Sequence, residues 1–261
     1  MSNLTFGIEL EVSDGADCLL TELYNRNLTA HTRFHQYHCR CDNCDVLATD
    51  LPPFLAQEDS TADGEIISRI LTVGEEESER AISGLADAIL AANTKHDYNV
   101  GLHVHVSRED MDDDQCKRFE RMFCIYQDEL ELLAKGPRDL RNYNERLSPT
   151  VWVNGLRTDK TATYLAKRTN TYEFRVWNSV ATEWRLRLAI GISVAMVQGA
   201  MEGILLPRTN PANDMLAERI GHLFDAQTWA GYIAQHEYDG IQGYAQRGLV
   251  GVELAEEGAL L

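Results

Sequence analysis

Three short segments of the chain combine residue types that bind cations or phosphate. Glu9-Leu10-Glu11 and His103-Val104-His105 each place two ligating side chains two residues apart, and Glu173-Phe174-Arg175 spaces an acid and a guanidinium the same way. Side chains in a β-strand alternate between faces, so residues two apart share one. If the three segments are strands of one sheet, Glu9, Glu11, His103, His105, Glu173 and Arg175 converge. Carboxylates gathered so closely repel one another unless they are protonated or neutralised. A divalent cation is the simplest neutraliser: carboxylate oxygens suit Mg²⁺ or Mn²⁺, and imidazoles tilt the site from pure Mg²⁺ toward a Mg²⁺/Mn²⁺ pair. Glu65 follows Asp63-Gly64 at the head of a further apolar run. It can point into the same cavity, although the rest of its face is mixed. Each segment alone has a plainer reading, as a solvated strand edge, an exposed pair of histidines or a surface ion pair. Their combination on faces set by alternation is what points to a site.

A second group of ligands is softer. The run His35-Gln-Tyr-His38-Cys39-Arg-Cys41-Asp-Asn-Cys44 contains three of the six cysteines of the chain. Three thiolates and one imidazole complete a tetrahedral Zn²⁺ site, and His38, Cys39, Cys41 and Cys44 are the nearest such set in sequence. Cys41-x-x-Cys44 has the spacing of half a zinc knuckle. No distant second Cys-x-x-Cys pair accompanies it, so free thiols on a loop and a redox-active pair remain open alternatives.

The elements that must carry these residues follow from periodicity. Leu4 to Val12 alternates as a strand, with Phe6, Ile8, Leu10 and Val12 on its apolar face. Gly64 to Val73, Val100 to Ser107 and Tyr172 to Trp177 read as three more strands. In the last of these, Tyr172, Phe174 and Val176 oppose Glu173, Arg175 and Trp177. Leu19 to Leu28, Glu76 to Lys95 and Asp112 to Lys135 have helical spacing. The last two begin with acids, where the helix dipole favours them. Helices are expected again at Glu183–Leu206, Ala212–Leu223 and Thr228–Gln246. The stretch from His31 to Asp59 lacks sustained periodicity, contains Pro52-Pro53 and reads as a long insertion. Strands early and helices late give an α+β class: a single catalytic domain over 1–261, with an antiparallel sheet backed by helices, a Cys/His-rich insertion at 31–59 and a mostly helical region from 183.

Composition narrows the function classes. The chain has 261 residues, and its 24 Lys+Arg against 41 Asp+Glu give a formal net charge of −17. That balance argues against nucleic acid and anionic membranes as partners, because phosphate contacts need Lys and Arg. The N-terminus lacks a basic start followed by an apolar run, so no secretory signal is expected. Leu186 to Leu206 is the longest apolar stretch, and Arg187, Gln198 and Glu202 interrupt it as in a buried helix. A cytoplasmic protein is expected, and a reducing compartment disfavours a disulfide framework.

Taken in order, Phe6-Gly-Ile-Glu-Leu-Glu11, Asp63-Gly-Glu-Ile-Ile-Ser-Arg-Ile-Leu71, Gly101-Leu-His-Val-His-Val-Ser107 and Glu173-Phe-Arg175 resemble the carboxylate–amine ligases of the glutamine synthetase and glutamate–cysteine ligase superfamily. The similarity is strongest to the amidoligase branch, widespread in bacterial and phage genomes. It spans residues 6 to 178. The resemblance implies a glutamine synthetase-like curved antiparallel sheet with ATP and two or three divalent metals between its ends. Glu9, Glu11, Glu65, His103 and Glu173 match metal ligands of that pattern. His105 matches a position near substrate or phosphate, and Arg175 matches the arginine that faces the transferred phosphate. Arg168 is a second phosphate cation by position alone. Two features depart from the family. Asp59-Ser60 stands five residues before Glu65 where an Asp-x-Ser pair is usual, and the arginine- and tyrosine-bearing segment is matched only loosely by Arg141-Asn-Tyr-Asn-Glu-Arg146.

The chemistry so implied is ATP-dependent amide formation. A carboxylate is a poor acceptor because oxide is a poor leaving group, whereas the acyl phosphate made from ATP has a good one. The expected partners are a small-molecule or peptide carboxylate and an amine. Two other readings suit parts of the pattern: an ATP-independent metallohydrolase of amide bonds, and a non-catalytic binding protein of the same fold. Arg175 and the lack of a His-Glu-x-x-His helix weigh against the hydrolase.

Overall fold

A computed structural model of the chain describes residues 4–37, 39, 41–96, 100–135, 163–166, 170–180 and 182–203. The strands are β1 (Thr5–Val12), β2 (Phe54–Gln57), β3 (Gly64–Ser68), β4 (Leu71–Thr72), β5 (Gly101–Ser107), β6 (Thr163–Ala166) and β7 (Thr171–Asn178). The helices are α1 (Ala16–Asn25), α2 (Glu76–Ala92), α3 (Asp113–Lys135) and α4 (Glu183–Glu202). The strands form one sheet in the order β2-β3-β1-β5-β7-β6, with β4 also paired to β1. Every pairing within it is antiparallel. The chain is therefore α+β, with an antiparallel sheet and helices on its apolar face.

Alternation in β1 positions both the core and the site. Phe6, Ile8, Leu10 and Val12 are buried, and they join a hydrophobic cluster with Leu19 of α1, Leu85 of α2, Phe119 of α3 and Leu186 of α4. Helix α3 packs on β7 and α4 on β5. Phe119 stacks on Tyr172 with centroids 3.9 Å apart, and Phe174 meets it edge-on at 5.6 Å. Asp63, just before β3, accepts a hydrogen bond from Ala16 N at 2.9 Å and so caps α1 from across the sheet. Arg187 of α4 donates to Ser83 Oγ of α2 at 2.7 Å and pairs with Glu79, tying the two helices.

The structure corrects three local expectations. The run from Gly64 to Val73 is two strands, broken at Arg69–Ile70. Ser68 Oγ accepts from Ile8 N at 2.9 Å, and the Arg69 side chain leaves the sheet to donate to Pro52 O and Asn43 O, both at 2.8 Å. Those bonds hold the insertion and end the ladder. Second, the insertion ends in strand β2, all four of whose residues are buried. A short strand buried on both sides shows no alternation. Third, a bulge in β7 lets Leu102 pair Trp177 while Val104 pairs Phe174. The extra residue turns Trp177 to the core face, where its indole donates to Ser193 Oγ of α4 at 3.0 Å. The helices expected at Ala212–Leu223 and Thr228–Gln246 lie outside the described residues, as does the segment 141–146. Among the described residues no helix is long and apolar enough to cross a membrane.

Candidate functional site

The face opposite the helices carries the acids and histidines. Register places them opposite one another: Glu9 pairs His103 across β1 and β5, Glu11 pairs Glu65 across β1 and β3, and His105 pairs Glu173 across β5 and β7. Directly opposed side chains in a sheet lie within reach of one another. Glu9 touches both histidines, with Oε2 at 3.0 Å from His103 Nδ1 and Oε1 at 3.2 Å from His105 Nε2. Glu11 Oε1 lies 3.7 Å from His103 Nε2 on the other side of that ring. Glu173 approaches His103 Nδ1 and His105 Nε2, each at 3.8 Å. Arg175 Nη1 donates to Glu173 Oε1 at 2.7 Å and stands 3.4 Å from His103 Nδ1. The six residues that alternation assigns to one face, together with Glu65, thus meet around His103.

Two groups of ligand atoms result, Glu9/His103/Glu173 and Glu11/Glu65/His103. The atoms of each lie within 4.8 Å of one another. A neutral imidazole has one N–H and one lone pair. If Nδ1–H donates to Glu9, the Nε2 lone pair faces Glu11 and Glu65. His103 then ligates on one side and orients an acid on the other, the usual arrangement around metal-bound histidines.

The electrostatics fit a cation. Burial, followed by the charges of Glu9, Glu11 and Asp59, pushes Glu65 up to about 9. Burial also opposes ionisation of Glu9, but His105 and His103 outweigh it and hold that carboxyl well below the usual range. Burial opposes a charge on His105 as well, and Glu9 and Glu173 overcome it and raise it. Without a metal, the crowding of acids is relieved in part by a proton held on Glu65 and by the attraction between Glu9 and the imidazoles. Hard oxygens plus one imidazole are the donor set of a Mg²⁺ or Mn²⁺ site, and a divalent ion would take the place of that proton.

Several residues that hold this set lie outside what alternation reveals. Gly101 N donates to Glu11 Oε2 at 2.7 Å, and a Cβ on Gly101 would lie 3.1 Å from His103 Nε2. Glycine there lets the backbone approach both ligands. Its position two residues before His103 on the same face is a signal that could have singled it out. Thr171 Oγ1 contacts His105 Nδ1 at 3.1 Å, and the Ser179 hydroxyl donates to the backbone oxygen of Glu11. These pairings depend on cross-strand register, which no local pattern encodes. Asp59 closes a turn: its Oδ1 accepts from Thr61 N and Thr61 Oγ1 at 2.6 Å and from Ala62 N at 2.9 Å. Arg168 lies outside the described residues.

The cysteine cluster is a separate constellation. Ligating atoms of His35, Cys39, Cys41 and Cys44 lie within 4.8 Å of one another. Cys41 Sγ and Cys44 Sγ are 3.4 Å apart, too far for a disulfide. His38, the histidine that sequence proximity favours, lies outside the described residues. Burial and the neighbouring Cys41 and Cys39 sulfurs push the Cys44 thiol up to about 12.

No family model and no curated protein matches the chain. Among solved structures it is similar to the ligase PafA, from the complex of that enzyme with the prokaryotic ubiquitin-like protein Pup, at 13% identity and a TM-score of 0.38. The match covers 86% of this chain and 51% of the other, so the chain spans about half the length of that ligase.

Proposed function

We propose that this chain is an ATP- and divalent-metal-dependent carboxylate–amine ligase that forms an amide through an acyl phosphate. One observation carries the reading: two groups of hard ligands share His103, with the Arg175 guanidinium 3.4 Å from the same ring. Acids alone would suit many cation sites. A fixed guanidinium inside an acid cluster suits a ligand that brings its own negative charge, and a metal–triphosphate does so. The four motifs that resemble amidoligases contribute the same residues.

Glu11, Glu65 and His103 would hold one Mg²⁺ or Mn²⁺, and Glu9 and Glu173 a second. Bound there, the metal supplies charge neutralisation for the triphosphate and for the phosphoryl group in transfer. Glu173 fixes Arg175 through a charge-assisted hydrogen bond. Arg175, always protonated, presents donors to the phosphoryl oxygens. Positioning and electrostatics supply most of the catalysis in phosphoryl transfer, so a held guanidinium matters more than a mobile one. In the second half-reaction the amine nitrogen bonds to the acyl carbon, the carbon–oxygen bond to phosphate breaks with its electron pair, and a proton leaves the nitrogen. The acids around the site favour entry of an ammonium-bearing amine. The substrates are a small-molecule or peptide carboxylate and an amine.

The test supplies Mg²⁺ or Mn²⁺ and ATP with mixed amino acids, polyamines and cell-wall peptides, and follows ADP and new masses. The expected result is ADP formation that requires the amine and matches a new amide mass one for one. Amide cleavage without nucleotide, or no ATP binding when metal is present, contradicts the proposal.

A further inference from the structure

We infer that His35, Cys39, Cys41 and Cys44 form a structural zinc site that clips the insertion to the edge of the sheet. Zn–S and Zn–N bonds of about 2.3 and 2.0–2.1 Å put tetrahedral ligand atoms roughly 3.5–3.8 Å apart. In this chain Cys41 Sγ and Cys44 Sγ lie 3.4 and 3.3 Å from His35 Nδ1, and 3.4 Å from each other. Four protein side chains would close the coordination sphere. A closed sphere marks a structural rather than a catalytic zinc.

The scaffold around the four ligands is already built. Cys44 N donates to Cys41 O at 2.9 Å, forming the tight turn that brings two sulfurs to one side. His35 is fixed on β2 by its backbone: its N donates to Ala56 O at 3.0 Å, and its O accepts from Glu58 N at 2.7 Å. Its ring stacks on His31, with centroids 4.1 Å apart and planes 15° from parallel. Among the described residues His31 is the other histidine near the sulfurs, but both its nitrogens are occupied. Nδ1 accepts from Ala56 N at 3.1 Å, and Nε2 faces Asn43 O at 3.1 Å. His31 therefore supports His35 and leaves the metal to it. Asn43 O also accepts from Arg69 Nη2 at 2.8 Å, so the Cys41–Cys44 turn is tied to the residue that follows β3. The clip thereby holds β2 against β3, the strand that carries Glu65. Among the described residues of 31–45 few apolar side chains are buried, so a bound metal would supply order that the core does not.

The site is independent of the ligase reading, and its readouts need no activity. Protein expressed and purified without added zinc should carry about one zinc per chain. Exchange for Co²⁺ should give the intense visible bands of tetrahedral thiolate coordination. Chelation should lower the unfolding temperature, and added zinc should restore it. His35→Asn should lose the metal and His38→Asn should keep it. Wild-type protein with no zinc and with cluster thiols that react like free ones would overturn the inference. So would a Cys41–Cys44 disulfide in protein purified under reducing conditions, or His35→Asn protein that keeps zinc with an unchanged Co²⁺ spectrum. The wild-type measurements decide the matter even if a variant fails to fold.

Discussion

Glu65→Gln should leave the metal-free fold at least as stable as the wild type at neutral pH, and should cut metal-dependent ADP formation by about 10²–10³-fold, the size of effect expected when a preorganised electrostatic partner is lost. The two halves of this expectation share one cause. Burial among Glu9, Glu11 and Asp59 pushes Glu65 up to about 9 from an ordinary 4.5, so without a metal the carboxyl is protonated at pH 7. Glutamine has nearly the same shape and is also neutral, so the metal-free protein hardly registers the change. A cation, however, must displace the proton. In the wild type its apparent affinity should climb with pH, up to tenfold per unit for this proton, and level off near pH 9. The same shift makes metal-free wild-type protein lose stability as pH rises from 4.5 toward 9, because the folded form binds the proton more tightly than the unfolded one. Both pH trends should flatten in Glu65→Gln. Melting curves between pH 5 and pH 8, with and without Mg²⁺, test the point. A variant that retains wild-type stabilisation by Mg²⁺ would contradict it.

Arg175 should behave in the opposite way. Arg175→Ala is expected to lower turnover by at least about 10³-fold, the range found when an arginine is removed from phosphoryl transfer. Arg175→Lys should recover only a small part of that loss. Lysine keeps the charge but lacks the planar fork that can hold Glu173 and still donate elsewhere. Cation affinity should not fall in either variant, because Arg175 ligates nothing and its removal frees Glu173 Oε1. Mn²⁺ titration beside steady-state kinetics separates the two quantities. A lysine variant with wild-type turnover, or one that loses the metal along with activity, would remove Arg175 from its assigned role.

Much of this site could be read from the sequence because it sits on regular strands. Burial in β1 alternates from Thr5 to Val12, so Glu9 and Glu11 had to share a face, and the same logic held for His103 and His105. Alternation failed where the backbone was irregular. The β7 bulge turned Trp177 inward after Arg175, and nothing in Glu-Phe-Arg-Val-Trp announces an extra residue. Strand β2 has no period to read, because Phe54-Leu55-Ala56-Gln57 is buried throughout. The Arg69 break was hidden for another reason. Its guanidinium bonds to Asn43 and Pro52, contacts 26 and 17 residues away that no local window contains. In the cysteine run, proximity in sequence favours His38. The seating of His35 beside Gln57 on β2 is what brings His35 to the sulfurs, and that is a matter of chain path.

If the sheet face around His103 binds divalent cations and a nucleotide, anomalous scattering will reveal it. Crystals equilibrated with Mn²⁺ and a non-hydrolysable ATP analogue should show one manganese peak ligated by Glu11, Glu65 and His103. A second peak should be ligated by Glu9 and Glu173, with the triphosphate lying against Arg175. Nucleotide bound elsewhere, or a face empty of manganese while the seven side chains keep their positions, would rule out the ligase site.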